Sequence, residues 1–232
     1  MDKKDVIIMC AGKGTRLLPL TKDRHKCMVE VKGKPILHHI LDNIRDSSIN
    51  VGKIILIVGH KRETIKYPKY EFPIISIVQK EINGTSNAIY LCKNKIDTNT
   101  FLVLSGDIIY KPQEIDILAD RPNSLLYTSM KKRLYEYGTI DFDAGSYRFI
   151  RYINEKSSRP TSHYVNCAGY HFNRDIFTYI KCTPIDERFN EKIITNTINY
   201  MVDDGMPFIG RIIDRLNEVT YPEDVEMVEK YI

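Results

Sequence analysis

Gly12-Lys13-Gly14-Thr15-Arg16 follows directly on a short apolar run, Val6-Ile7-Ile8-Met9-Cys10, and its residue types suit an anion. Two glycines remove side chains so that backbone N–H groups can come close to a phosphate, and Lys13 and Arg16 add positive charge. Two nucleotide loops are excluded by spacing. Leu17 stands where a GxGxxG dinucleotide loop needs glycine, and no GxxxxGK[ST] occurs anywhere in the chain. A second chemically pointed position is Asp107, which closes the apolar run Phe101-Leu102-Val103-Leu104-Ser105-Gly106. A carboxylate at the carboxyl end of a buried parallel strand lies in the crevice where α/β folds bind ligands.

These residues need strands and helices to hold them. Residues 6–10, 53–59, 75–79 and 101–107 are apolar runs without alternation, the pattern of strands buried on both faces. Between them, a helix is expected from Pro35 as its first residue, with Ile36, Leu37, Ile40, Leu41 and Ile44 at helical spacing until Ser47-Ser48, and another over 85–96. Such alternation implies right-handed crossovers, hence an α/β fold of Rossmann-like type with a mixed, mainly parallel sheet flanked by helices. After residue 110 the texture changes. Residues 124–130, 138–142, 147–153 and 165–172 read as strands parted by turn residues; helices over 175–180 and 191–201, a strand over 208–213 and a helix over 222–232 follow. The chain contains no repeat and no Pro/Gly/Ser-rich linker, so one domain over 1–232 is expected, with a nucleotide side to about 110 and an acceptor side from about 111.

Ten residues after Arg16 comes Lys26, and Met9 to Leu37 as a whole, with Gly33-Lys34-Pro35 near its end, is similar to AGxGTRLxPLTxxxxK followed by GKP. On these residues the chain resembles the nucleoside-triphosphate:sugar-1-phosphate nucleotidyltransferase family, the sugar nucleotide pyrophosphorylases with the nucleotide-diphospho-sugar transferase type of fold. The resemblance implies that Ala11, Gly12, Gly14 and Thr15 bind the nucleotide and that Arg16 and Lys26 hold the triphosphate and stabilise charge at the α-phosphorus. Phosphoryl transfer demands such cations, being mostly positioning plus electrostatic stabilisation. Gln79-Lys80-Glu81-Ile82-Asn83-Gly84-Thr85 resembles the QxxxxGT segment, which makes Gln79, Gly84 and Thr85 nucleotide-binding; an amide that donates and accepts suits a uracil or thymine edge. Gly106-Asp107 resembles the GD motif whose aspartate binds Mg²⁺, a hard ion that Mn²⁺ can replace and that takes oxygen ligands together with substrate phosphates. Tyr137-Gly138, Glu155-Lys156 and Asn166, with Gly169, resemble the acceptor-binding YG, EK and N-x-G elements.

One position departs from the pattern. Many relatives carry an aspartate or asparagine as a second metal ligand in a motif like E-V/I-D-x-P-E-D, whereas Glu218-Val219-Thr220-Tyr221-Pro222-Glu223-Asp224 puts Thr220 there, a neutral and weaker ligand. The expected reaction is transfer of a nucleoside monophosphate from UTP or dTTP to a sugar 1-phosphate, releasing pyrophosphate. Cytidylyl transfer from CTP to a phosphorylated alcohol such as phosphocholine is the alternative, since short family members share an opening like His25-Lys26-Cys27-Met28-Val29. A nucleotide-binding relative without turnover is the second alternative.

Composition excludes several other classes. With 34 Lys+Arg against 30 Asp+Glu, 43% hydrophobic and 28% charged residues, the chain is of globular rather than disordered or histone-like type. No basic run is long enough for a nucleic-acid arm, so no nucleic-acid partner is expected. Five widely spaced cysteines fit neither a CxxC zinc site nor an even disulfide framework, and reduced thiols in a cytoplasmic compartment are expected. The five apolar residues of Val6 to Cys10 are too few for a signal-peptide core or a bilayer span, so no membrane partner is expected either. Small-molecule substrates are the expected partners, and the sequence leaves homo-oligomerisation open.

Overall fold

The computed structural model describes residues 2–146 and 148–232, which form a mixed α/β fold. In chain order the elements are β1 (Lys4–Cys10), β2 (Glu30–Val31), β3 (Lys34–Pro35), α1 (Ile36–Asp46), β4 (Val51–Val58), β5 (Ile74–Val78), α2 (Thr85–Leu91), β6 (Thr100–Ser105), α3 (Pro112–Ala119), β7 (Ser124–Ser129), β8 (Gly138–Phe142), β9 (Ile150–Glu155), β10 (Tyr164–Asn173), α4 (Ile176–Cys182), α5 (Ile194–Asp203), β11 (Ile209–Ile212) and α6 (Pro222–Glu229). They divide into two compact units that the chain visits in turn. One comprises the residues up to Ile82 with Val103–Ile117 and Asn217–Ile232; the other comprises Asn83–Leu102 and Leu118–Leu216.

In the first unit β1 pairs parallel with β4 and β4 parallel with β5, in a register that aligns Ile7 with Ile55 and Ile55 with Ile75. The end of β6 lies beside β1. β1 and the second half of β4 are buried on both faces, Val6, Ile7, Ile8 and Ile54–Ile57 completely so, whereas β5, which the apolar run suggests is buried likewise, is the edge strand of the sheet and leaves Ser76 and Val78 exposed. Helix α1 buries Ile36, Leu37, Ile40, Leu41 and Ile44 on one face, each worth about 1.5–3 kcal/mol relative to exposure. It starts one residue later than the spacing implies. Pro35 is extended and pairs with Glu30 in the two-stranded ladder β2–β3, while the Ile36 N–H is taken by the Val29 carbonyl. Helix α3 is not anticipated by the sequence reading, although Pro112 opens it and the Glu114 carboxylate, three residues on, accepts from the Lys111 N–H, a capping arrangement written in the residue types.

In the second unit β7 pairs parallel with β11 and antiparallel with β10, β8 pairs with β10, and β9 with β8. Helix α5 packs on β9 and on α4, and α2 packs on both helices. Stacked and tilted rings of Phe101, Phe172 and Phe177, 5.5 to 6.1 Å apart, fill the interior. Several elements differ from the sequence expectation for local reasons. Beyond Leu91, α2 gives way to turns in which Cys92 and Lys93 donate three residues back, so the helix expected over 85–96 is shorter. Helix α5 starts at Ile194 instead of 191 because the Lys192 backbone is already committed, its N–H to Asn83 and its carbonyl to Ser86, 3.1 and 3.0 Å. The strand expected over 147–153 is β9, which begins at Ile150; Tyr147 lies outside the described residues. Among the described residues no helix is long and apolar enough to cross a membrane.

Candidate active site

In the first unit the glycine-rich turn leaves β1 at Ala11 and closes into a 3₁₀ turn over Thr15–Leu17 whose Leu17 is buried, with Gly12, Lys13, Thr15 and Arg16 exposed. Its two glycines have different reasons. Gly14 is left-handed, at φ 65°, and a Cβ there would stand 3.0 Å from the Cβ of Lys26, so its absence admits the lysine stem. A Cβ on Gly12 would meet nothing within 4 Å, and that open space over the backbone is available to an anion. The Thr21 hydroxyl donates to the Gly14 carbonyl at 2.8 Å, and the Lys61 ammonium donates to the Thr21 and Lys22 carbonyls at 2.5 and 2.6 Å, tying the loop that carries Lys26.

Lys26 and Asp107, which are 81 residues apart, meet directly: the ammonium donates to Asp107 Oδ2 at 2.5 Å. The Ser105 hydroxyl donates to the other oxygen, Oδ1, also at 2.5 Å. Burial pushes the Asp107 carboxyl up, but the Lys26 charge and these two hydrogen bonds outweigh it and leave the carboxyl below its ordinary value. The turn that presents Asp107 depends on Gly106, whose Cβ would sit 2.4 Å from Cys10 Sγ and 2.7 Å from the Met9 carbonyl. Gly106→Ala is therefore expected to destabilise the protein by about 3 kcal/mol, the upper end of overpacking costs, read as a drop in the urea midpoint; an unchanged midpoint would contradict the packing described. Arg16 lies with its guanidinium carbon 5.6 Å from the centre of the Tyr221 ring. The thiol of Cys27, the next residue in the chain after Lys26, is pulled down by the Cys10 thiol that donates to it and by His25, while Cys10 is raised.

The residues present fit a divalent cation in one way only. Asp107 supplies a hard carboxylate, whereas the Thr220 hydroxyl is buried and has no hydrogen-bond partner among the described residues, so it is not presented to solvent. Among the described residues no cluster of three or more His, Cys, Asp or Glu could form a protein cage for a metal. One carboxylate is enough for Mg²⁺ or Mn²⁺ when phosphate oxygens and water complete the shell.

The second unit gathers a different set. Gly138 lacks the Cβ that would stand 2.8 Å from Glu155 Oε2, and that oxygen accepts from the Thr195 hydroxyl at 3.0 Å. Burial raises the Glu155 carboxyl above its ordinary value, against the opposing pull of Lys156, Thr195 and Arg188. Lys156 is left-handed, at φ 44°; its N–H donates to the Tyr137 carbonyl at 3.0 Å, and its ammonium lies 5.6 Å from the centre of the Phe189 ring. Arg188 shares that ring at 5.0 Å, donates to the Glu155 carbonyl at 3.1 Å and holds Asp186 down to about 2. Asn166 is engaged within its own strand: its oxygen accepts from Ala168 N–H at 3.0 Å and its amide donates to the Tyr170 hydroxyl at 2.7 Å, bracing the irregularity between Asn166 and Tyr170. No motif in the sequence marks Thr195, Arg188 or Phe189 as site residues. They stand in a stretch with no motif of its own, and only folding brings them to Glu155 and Lys156.

Gln79 follows β5 directly as a buried residue whose N–H donates to the Val58 carbonyl at 2.8 Å. Gly84 is required by packing, since at φ 110° a Cβ would lie 2.1 Å from the Lys192 carbonyl oxygen. The Thr85 hydroxyl accepts from the Ile194 N–H at 2.9 Å and so fastens the first turn of α5.

Residues 5–216 match the nucleotidyl transferase family. The bifunctional protein GlmU of Methanocaldococcus jannaschii is 34% identical over 98% of this chain and 54% of its own length. The chain thus spans about half the length of that relative. The UTP–glucose-1-phosphate uridylyltransferase AglF of Haloferax volcanii is 30% identical over 97% of this chain and 94% of its own length. Among solved structures, a UDP-glucose pyrophosphorylase complexed with UDP-glucose superimposes with a TM-score of 0.86 over 99% of this chain and 98% of its own, at 17% identity, a likeness of fold.

Proposed function

From the premise that this chain belongs to the nucleotidyl transferase family, we propose that it transfers a nucleoside monophosphate from UTP or dTTP to a sugar 1-phosphate. The observation that carries this reading is the contact of Lys26 with Asp107 beside the glycine-rich turn, which joins a cation to a metal-capable carboxylate. In the reaction an oxygen of the acceptor phosphate forms a bond to the α-phosphorus as the bond from that phosphorus to the pyrophosphate oxygen breaks in line. The acceptor phosphate is already ionised, so no general base is needed, and the protein supplies alignment and charge. The backbone of Ala11, Gly12, Gly14 and Thr15 receives phosphate oxygens, while Arg16 and Lys26 stabilise the charge that builds as pyrophosphate departs. Asp107 would hold Mg²⁺ or Mn²⁺ jointly with the triphosphate, and the ion bound there neutralises phosphate charge.

In the second unit Lys156 meets the acceptor phosphate, and Tyr137, Gly138, Glu155 and Asn166 line the sugar. Glu155 accepts sugar hydroxyl donors when ionised, and its raised value means that protonation starts at higher pH than for an ordinary glutamate. The acceptor KM should therefore rise as pH falls while still above the usual glutamate range. In Glu155→Gln the KM should be high and insensitive to pH over that window; a wild-type KM that is flat there contradicts this role.

Gln79 reads the base edge through its amide. Gln79→Glu removes an amide donor and should weaken use of the preferred triphosphate by about 1–3 kcal/mol while sparing the others. Equal effects on all triphosphates would remove Gln79 from base recognition. Phosphorus NMR of a mixture of UTP, glucose 1-phosphate and Mg²⁺ tests the reaction itself: equal amounts of pyrophosphate and a UDP-sugar are expected, and neither when the acceptor is omitted. Pyrophosphate released without acceptor would contradict direct transfer.

A further inference from the structure

We propose that the Lys26 ammonium excludes a divalent cation from Asp107 until a triphosphate draws it away, so that cation and nucleotide bind as one unit; this rests on the reading of the glycine-rich turn as a triphosphate site. Both oxygens of Asp107 are in use, Oδ2 by Lys26 and Oδ1 by Ser105, each at 2.5 Å. The pair is well shielded, with side-chain exposures of 13% for Lys26 and 22% for Asp107, so water screens it little.

The charges decide the order of events. One carboxylate and one ammonium sum to zero, and a dication taking the Oδ2 position would stand beside a like charge, which opposes binding strongly in a partly buried setting. Thr220, which follows the Val219 whose N–H donates to the Asp107 carbonyl at 2.9 Å, adds no negative charge, since its hydroxyl is neutral, buried and without a hydrogen-bond partner among the described residues. Without ligand, this centre therefore offers no net attraction to a free dication. A triphosphate reverses the balance: its several negative charges compete for the ammonium, the long flexible lysine stem can deliver the charge to them, and Oδ2 becomes available to the cation that the phosphates carry. Lys26 thus serves twice, as the resident cation of the empty site and as a phosphate ligand in the filled one.

The test is titration of Mn²⁺ into nucleotide-free protein, with free Mn²⁺ read by electron paramagnetic resonance. Wild type should bind weakly. Lys26→Met, which keeps most of the stem and removes the charge, should bind Mn²⁺ about tenfold more tightly or better. Lys26→Gln, which also removes the charge but keeps a polar end, should gain by a similar factor, and this variant keeps the proposal testable should Lys26→Met fold poorly. Adding Asp107→Asn to either variant should abolish the gain. Wild type binding as tightly as Lys26→Met, or a folded Lys26→Met with no gain, would overturn the proposal. The titration contains no nucleotide or acceptor. A failure to release pyrophosphate would refute the transfer reaction and leave this result standing, and the reverse holds equally.

Discussion

Lys26→Ala is expected to lower kcat by about 10³-fold or more, with the substrate KM values changed far less and the fold retained. The lysine reaches Asp107 from a loop that Lys61 and Thr21 tie down independently, so losing its side chain leaves the loop anchored. Its charge matters most as negative charge grows on the departing pyrophosphate, and an interaction that strengthens in the transition state appears in kcat rather than in binding. Raising the Mg²⁺ concentration should not restore the loss, because the missing charge acts on phosphate. An alanine variant with wild-type kcat and an intact circular dichroism spectrum would remove Lys26 from the reaction.

The second large effect is Asp107→Asn, expected to cost about 3 kcal/mol in transition-state stabilisation, or about 10²-fold in kcat. The amide can still accept from the Ser105 hydroxyl at the Oδ1 position, so the turn after β6 should survive. What disappears is the negative charge that a hard dication requires. Here, in contrast to Lys26→Ala, raising Mn²⁺ should recover part of the activity, since the phosphates still supply most of the ion's ligands. Full activity of Asp107→Asn at low metal concentration would show that the carboxylate is not a metal ligand.

The two units were legible in the sequence to different depths. Strands such as β1, β4 and β6 could be read because they are buried on both faces and so carry unbroken apolar runs, and the side chain that follows such a run, Asp107, inherits a defined place. The meeting of Lys26 with Asp107 is not legible in the sequence, because no local rule joins residues 81 positions apart and the motifs place the two separately. Helix starts were misplaced where a tertiary partner intervened: Lys192 is bonded to Asn83 and Ser86, and Pro35 to the β2–β3 ladder, so neither can enter a helix when its pattern would allow it. The surroundings of Glu155 were the least legible. Arg188 and Phe189 come from an unpatterned stretch, the helical pattern around Thr195 does not tell which carboxylate its hydroxyl meets, and Gly138 owes its fit to a carboxylate oxygen on the neighbouring strand.

The central claim is the transfer of a nucleoside monophosphate to a sugar 1-phosphate, and a matrix of pyrophosphate-release rates tests it most directly. The four common ribonucleoside triphosphates and dTTP are each paired with glucose 1-phosphate, other sugar 1-phosphates and phosphocholine, all in the presence of Mg²⁺. The account predicts turnover confined to UTP or dTTP with a sugar 1-phosphate, and none in Lys26→Ala. Turnover only with CTP and phosphocholine, or none with any pair, would contradict it.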